Sequence, residues 1–157
     1  MSTRQLSRDL DGHPTEILVQ TYVDRVFVLV TQLGKVGTLI QASLPDTTPL
    51  LPAPPPDPLY PNQVLPPPPP AIQLTPLFGS APSEHTQTLH SLYAAQIATI
   101  VWLQEGFGSI GNRRRSVVVG LALKKSDDGG HDEGVTEREK VVFQGVMSSL
   151  QELLSRQ

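Results

Sequence analysis

Residues 25–41 carry the most regular pattern of apolar positions in the chain. Apolar side chains occupy both faces of residues 25–33: Phe27, Leu29 and Leu33 on one face, and Val26, Val28 and Val30 on the other. A strand that is apolar on both faces belongs in the middle of a core. Gly34 and Gly37 then supply the positive φ of a tight loop, and residues 38–41 form a return strand. The pattern predicts a central β-hairpin.

Three further strands are predicted, a moderately alternating one at residues 14–22, an irregular one at residues 72–78 and a strong one at residues 116–124. The first precedes the central hairpin, so the N-terminal half is predicted to be an antiparallel meander of three strands. Pro76 favours an edge position or a bulge for the second. The third has one bulky face and one slim face, and its Gly120 indicates that a helix packs closely over the slim side.

Helical spacing of apolar residues appears twice. The first helix is predicted to start at Ser83 or Thr86 and to end before Gly106. The second is predicted to start at a capping box at residues 136–139. The order β-β-β-β-α-β-α predicts an α+β domain in which one antiparallel sheet, a meander plus further strands, packs against two helices.

Proline content divides the chain into regions. Thirteen of the 16 prolines lie in residues 44–70, where missing donors and fixed φ angles oppose both helix and central strand. We therefore predict a proline-rich disordered insertion at residues 44–70. Residues 1–13 are polar and are predicted to be a disordered arm. Residues 14–157 form a single predicted domain.

Composition limits the classes of partner. Charged residues make up 17% of the chain, the net charge is −3 and cysteine is absent. This composition gives no reason to expect nucleic acid as a partner, and it excludes disulfides and cysteine nucleophiles. No apolar run approaches the roughly 20 residues of a membrane span. We expect a soluble protein of the cytoplasm, and also of the nucleus, without membrane attachment.

No motif predicts catalysis or a cofactor. The loop at residues 34–38 lacks the spacing of a phosphate-binding loop and joins two strands. His85 and His90 are five residues apart, which does not place them on one helix face as a metal pair, and all four histidines are predicted to be solvated. The acidic loop at residues 127–133 lacks the alternating acids of a calcium loop. We predict neither enzymatic activity nor a metal site.

Two features of the sequence fit either a structural role or a binding role. The run at residues 65–69 can dock in an EVH1- or profilin-type groove or act only as a spacer. The basic cluster Arg113, Arg114 and Arg115 fits a solvated turn, and its functional alternative is contact with an acidic protein surface. A proline-rich adaptor that presents residues 44–70 is therefore one candidate function.

A second candidate function comes from a resemblance to a known family. Residues 14–19 and 28–39, with the string Thr31-Gln32-Leu33-Gly34-Lys35-Val36-Gly37-Thr38-Leu39, resemble the N-terminal half of the proteasome assembly chaperone 3 family. Residues 111–113, followed by the strand at residues 117–123 and Lys124, resemble its second half. The chain departs from the family at residues 44–70, at the arginines after Asn112 and in the loop at residues 125–135.

The resemblance implies a non-catalytic α+β protein without a cofactor. It implies a heterodimer with proteasome assembly chaperone 4, which holds an α-type subunit early in assembly of the 20S α-ring; without that partner, a homodimer is the alternative. Lys35, Arg113 and Arg114 are the candidate contact residues, because Lys35 and Arg113 lie in loops at the ends of predicted strands and Arg114 belongs to the same basic cluster.

Overall fold

A computed structural model describes residues 2–34, 37–51, 58–59, 65–79, 81, 83–106, 114–124 and 137–155. The fold is α+β, as predicted, with two helices and a six-stranded sheet. In chain order the elements are β1 (Ser2–Leu10), β2 (His13–Thr21), β3 (Arg25–Thr31), β4 (Thr38–Ser43), β5 (Gln73–Phe78), α1 (Glu84–Gly106), β6 (Ser116–Ala122) and α2 (Glu137–Ser155). Neither described helix is long and apolar enough to cross a membrane.

The sheet is mixed, with the order β1-β2-β3-β6-β4-β5. β6 lies between β3 and β4, parallel to the former and antiparallel to the latter. The predicted hairpin between β3 and β4 is therefore wrong, and so is the purely antiparallel sheet. Gly34 and Gly37 do take positive φ angles of 70° and 71°, as the loop requires. The connection from β3 to β4 passes the end of β6, because β6 lies between these two strands and pairs with both of them.

The N-terminal segment is a strand, which corrects the prediction of a disordered arm. β1 pairs with β2 along its whole length, from Ser2 opposite Thr21 to Leu10 opposite His13. Asp11 and Gly12 connect them with φ angles of 52° and 78°. A two-residue Asp-Gly turn with both φ angles positive matches the right-handed twist of a hairpin. The antiparallel meander therefore consists of β1, β2 and β3.

Both helices pack on one face of the sheet, which we call the helix face. Its central positions are the alternate residues Val26, Val28 and Val30 of β3 and Val117, Val119 and Leu121 of β6, all of them buried. From α1, Tyr93, Ile97 and Trp102 enter this core, and from α2, Met147 and Leu150 do so. α1 begins as predicted, because the Ser83 hydroxyl accepts the Thr86 amide N–H at 3.2 Å. Thr136, the predicted cap of α2, lies outside the described residues.

Two arginines of β1 attach the first strand to the last helix. Arg4 donates to the Leu154 carbonyl oxygen at 3.0 Å, which satisfies a backbone acceptor at the C-terminal end of α2. Arg8 donates to the Ser149 hydroxyl at 3.2 Å and forms an ion pair with Glu152. The two ends of the chain are thereby joined.

Both described ends of the proline-rich segment pack on the core, contrary to the predicted disorder of residues 44–70. Leu44 and Pro66 are buried, and Leu50 and Leu65 pack against the helix-face core. The buried Gln96 side chain of α1 donates to the Pro66 carbonyl oxygen at 2.8 Å. Residues 52–57 and 60–64 lie outside the described residues. At the described ends the prediction of disorder is wrong, because proline excludes regular structure but does not prevent apolar packing. For residues 52–57 and 60–64 it stays a prediction.

Candidate partner-binding face

The second face of the sheet, which we call the open face, has two uncharged rows across its middle, and the second of them consists of apolar residues and one glycine. One row aligns Gln20, Phe27, Val118, Gln41 and Thr75. The next row aligns Leu18, Leu29, Gly120, Leu39 and Phe78. Neither row contains a charged residue. Along the described strands, the charges on this face lie at its ends, at Asp9, Glu16 and Arg25.

No described helix packs on the open face. Leu18, Phe27, Leu29 and Leu39 are half-buried, and Phe78 is 68% exposed. The slim side of β6 belongs to this face, so the expectation that a helix packs over Gly120 is wrong for the described helices. Val118 and Gly120, at the centre of the rows, are buried, so the accessible apolar surface lies around them, at Phe27, Phe78 and the leucines, and is a candidate docking surface.

Both edges of the sheet carry features that oppose the addition of a further strand. At one edge, Arg4 and Arg8 of β1 point to the helix face, where charged side chains disfavour continuation of the sheet. At the other edge, Pro76 interrupts β5 and the pairing register shifts between Leu39 and Ile40. The predicted edge position and irregularity of this strand are thus confirmed. A partner that uses the sheet meets its face more readily than its edges.

The basic cluster lies where β6 begins. The Arg114 amide N–H donates to a carboxylate oxygen of Asp46 at 2.7 Å, and its guanidinium donates to the Pro45 carbonyl oxygen. Arg115 forms an ion pair with Glu105 at 3.2 Å. Burial raises the pKa of the Glu105 carboxyl, an effect that Arg115 opposes. Arg114 thus holds the start of the proline-rich segment, and the other two candidates, Lys35 and Arg113, lie outside the described residues.

Gln32 connects three strands at the other end of the sheet. Its backbone N–H donates to the Ala122 carbonyl oxygen at 2.8 Å, and its side-chain oxygen accepts the Lys124 amide N–H at 2.9 Å. Its side-chain amide donates to the Thr15 hydroxyl at 3.1 Å. Gln32 belongs to the string that carries the family resemblance, and its role in this structure is to join β2, β3 and β6.

The histidines of α1 lie in different surroundings. The His85 Nε2 is 2.9 Å from both carboxylate oxygens of Glu139, which joins the starts of α1 and α2. His90 is only 8% exposed, so the prediction that it is solvated is wrong. Burial lowers its pKa, and its Nδ1 has no hydrogen-bond partner among the described residues. Within the described ranges, no group of three His, Asp or Glu side chains is placed to hold a metal ion.

Sequence reasoning found the parts of the open face but did not assemble them. The alternation showed that β6 has a slim side formed by Val118, Gly120 and Ala122. It gave no information on which strands flank β6, and the apolar second row exists only because Leu29 and Leu39 lie on either side of Gly120. No protein-family model and no curated protein sequence matches the chain.

Proposed function

We propose that this chain is a non-catalytic proteasome assembly chaperone. In this proposal it pairs through the open face with a chaperone 4 partner, and the pair holds an α-type subunit during assembly of the 20S α-ring. The observation that carries the proposal is the pair of uncharged rows, one of them apolar, on a sheet face that no described helix covers. The motif at residues 31–39 supports the family to which the proposal refers.

The composition of the open face specifies the kind of surface that fits it. Burying a charge against the uncharged rows is costly, so the complementary surface has an uncharged centre. Two sheets pack face to face about 10 Å apart through interdigitating side chains. The proposed partner therefore presents a sheet face of its own, with charges at its ends to meet Glu16 and Arg25.

Co-expression with chaperone 4, followed by mass measurement on a sizing column, tests the pairing. The informative variant is Leu29→Lys in the second row, which is apolar, and the matched control is Leu92→Lys on α1, where the leucine is 45% exposed. We expect Leu29→Lys to weaken pairing by at least about tenfold, because an ammonium group would be buried without a partner. The control variant should pair normally. Equal pairing by the two variants, with equal melting temperatures, would refute docking through the open face.

Capture of the α-type subunit is a separate step with separate candidate residues. Lys35 and Arg113 remain the proposed contacts, and Arg114 is the weaker candidate because it already contacts Pro45 and Asp46. Reversing the charge of both Lys35 and Arg113 should lower subunit capture while the chaperone pair still forms. Unchanged capture by the double variant would exclude these residues as contacts.

The adaptor function is the second candidate, favoured by the exposure of Pro67, Pro68 and Pro70. Leu65 and Pro66 lie at the start of the same run, but they are packed against the core and α1, which leaves a short accessible stretch. Replacing Pro67, Pro68 and Pro70 with alanine leaves these anchors in place and removes the accessible stretch. A chaperone should keep its partner after this replacement, and loss of the partner would favour the adaptor.

A further inference from the structure

Thr48 has the Thr-Pro sequence that proline-directed kinases modify, and it lies at the start of the proline-rich segment. It is followed directly by Pro49, it is half-buried, and its amide N–H donates to the Pro45 carbonyl oxygen at 3.1 Å. A following proline disfavours the helical conformation, and Thr48 lies in a bend after the turn at Asp46 and Thr47. The only other Thr-Pro pair of the sequence is Thr75 and Pro76, and there the threonine is paired with Gln41 in the sheet.

A cation with spare hydrogen-bonding capacity lies beside this threonine. The Arg114 guanidinium donates to the same Pro45 oxygen that accepts the Thr48 amide, so the two groups are within two hydrogen-bond lengths of each other. A guanidinium has five N–H donors, and the remaining donors of Arg114 have no partner among the described residues. Asp46 accepts from the backbone N–H of Arg114, and among the described residues no hydrogen bond or ion pair joins its carboxylate to the guanidinium.

We propose that Thr48 is a phosphorylation site for a proline-directed kinase and that Arg114 binds the phosphate. The threonine hydroxyl oxygen attacks the γ-phosphorus of ATP, the bond from that phosphorus to the leaving ADP oxygen breaks, and the hydroxyl proton passes to the catalytic base of the kinase. A phosphate opposite an arginine forms short, charge-assisted hydrogen bonds and orders the segment that carries it. Phosphorylation therefore tightens the attachment of the proline-rich segment to the start of β6.

The test treats the full chain with MgATP and a proline-directed kinase and maps the added phosphate by fragment mass. We expect phosphate on Thr48 and none on Thr75, with loss of labelling in Thr48→Val. Phosphate on Thr75 instead, or no incorporation, would overturn the proposal.

Hydrogen exchange tests whether Arg114 binds the phosphate, which the mapping of the phosphate does not show. The amides of Thr48 and Arg114 should exchange about tenfold more slowly in the phosphorylated chain, because each is bonded within the attachment that the phosphate strengthens. Arg114→Gln should abolish this slowing. The matched variant Arg115→Gln should preserve it, since Arg115 pairs with Glu105. Slowing that persists in Arg114→Gln, or faster exchange on phosphorylation, would contradict the assigned role of Arg114.

Discussion

Gly34 and Gly37 allow the effect of a close backbone approach to be separated from the effect of a positive φ angle. The two glycines lie in the loop between β3 and β4, with φ angles of 70° and 71°. A Cβ added to Gly34 meets nothing within 4 Å, whereas one added to Gly37 lies 2.8 Å from the Ala122 Cβ and closer still to the Leu121 carbonyl oxygen. Alanine is therefore equally strained at both positions, but it collides with β6 only at position 37.

The expected costs follow from that geometry. An alanine in the left-handed conformation destabilises the folded state by about 1–2 kcal/mol. Alanine also lowers the conformational entropy of the unfolded chain, which offsets part of this loss, so we expect Gly34→Ala to lower the free energy of unfolding by about 1 kcal/mol. Gly37→Ala must also displace the backbone of a central strand, so we expect a loss of at least about 3 kcal/mol.

Urea unfolding measures the difference directly. With a slope of about 2 kcal/mol per molar urea, the midpoint should fall by about 0.5 M for Gly34→Ala and by about 1.5 M or more for Gly37→Ala, with unchanged slopes. Equal losses in the two variants would show that the loop does not press against Leu121, and the inferred crossing of β6 would then be wrong.

Three further predictions concern the core and its attachments. Burial lowers the pKa of His90 from its usual 6.5. The stability that neutral His90 contributes is therefore present above that pH and is lost as the pH falls toward the folded-state pKa. His90→Phe should reduce this loss of stability at low pH, measured by denaturant unfolding at a series of pH values. Trp102 donates to the Arg115 carbonyl oxygen at 2.7 Å. Trp102→Phe should lower the free energy of unfolding by about 2–3 kcal/mol in thermal melting, because the carbonyl oxygen loses its donor and the core loses volume. Arg4→Ala should cost about 1–2 kcal/mol in the same assay and increase hydrogen exchange at the end of α2.

Local signals predicted most elements, and the exceptions have physical reasons. The strand at residues 2–10 was missed because Arg4 and Arg8 occupy helix-face positions and hide the apolar alternation with Leu6 and Leu10. Long arginine stems can cover apolar surface while their charged ends reach polar partners, here on α2. The turn at Asp11 was the available signal, since Asp-Gly between two extended segments favours a hairpin.

The position of β6 could not be predicted from local pattern. Residues 25–41 fit a hairpin because the glycine loop suits one, and the alternation of β3 is the same whichever strand lies beside it. Pairing with a strand that begins at Ser116 depends on contacts far apart in sequence. The open face has the same origin, since its rows require β6 between β3 and β4.

The central position of β6 also determines when the protein can fold during its synthesis. Until β6 emerges from the ribosome, the chain can form only two separate sheets, β1-β2-β3 and β4-β5. The edge strands β3 and β4 then lack β6, the strand with which both pair in the folded protein. Such unpaired apolar edges are sites of wrong association in nascent chains. Release of a chain that ends before Ser116 should therefore yield an aggregation-prone fragment, whereas a break in the loop between β3 and β4 removes none of the strand pairings of the sheet.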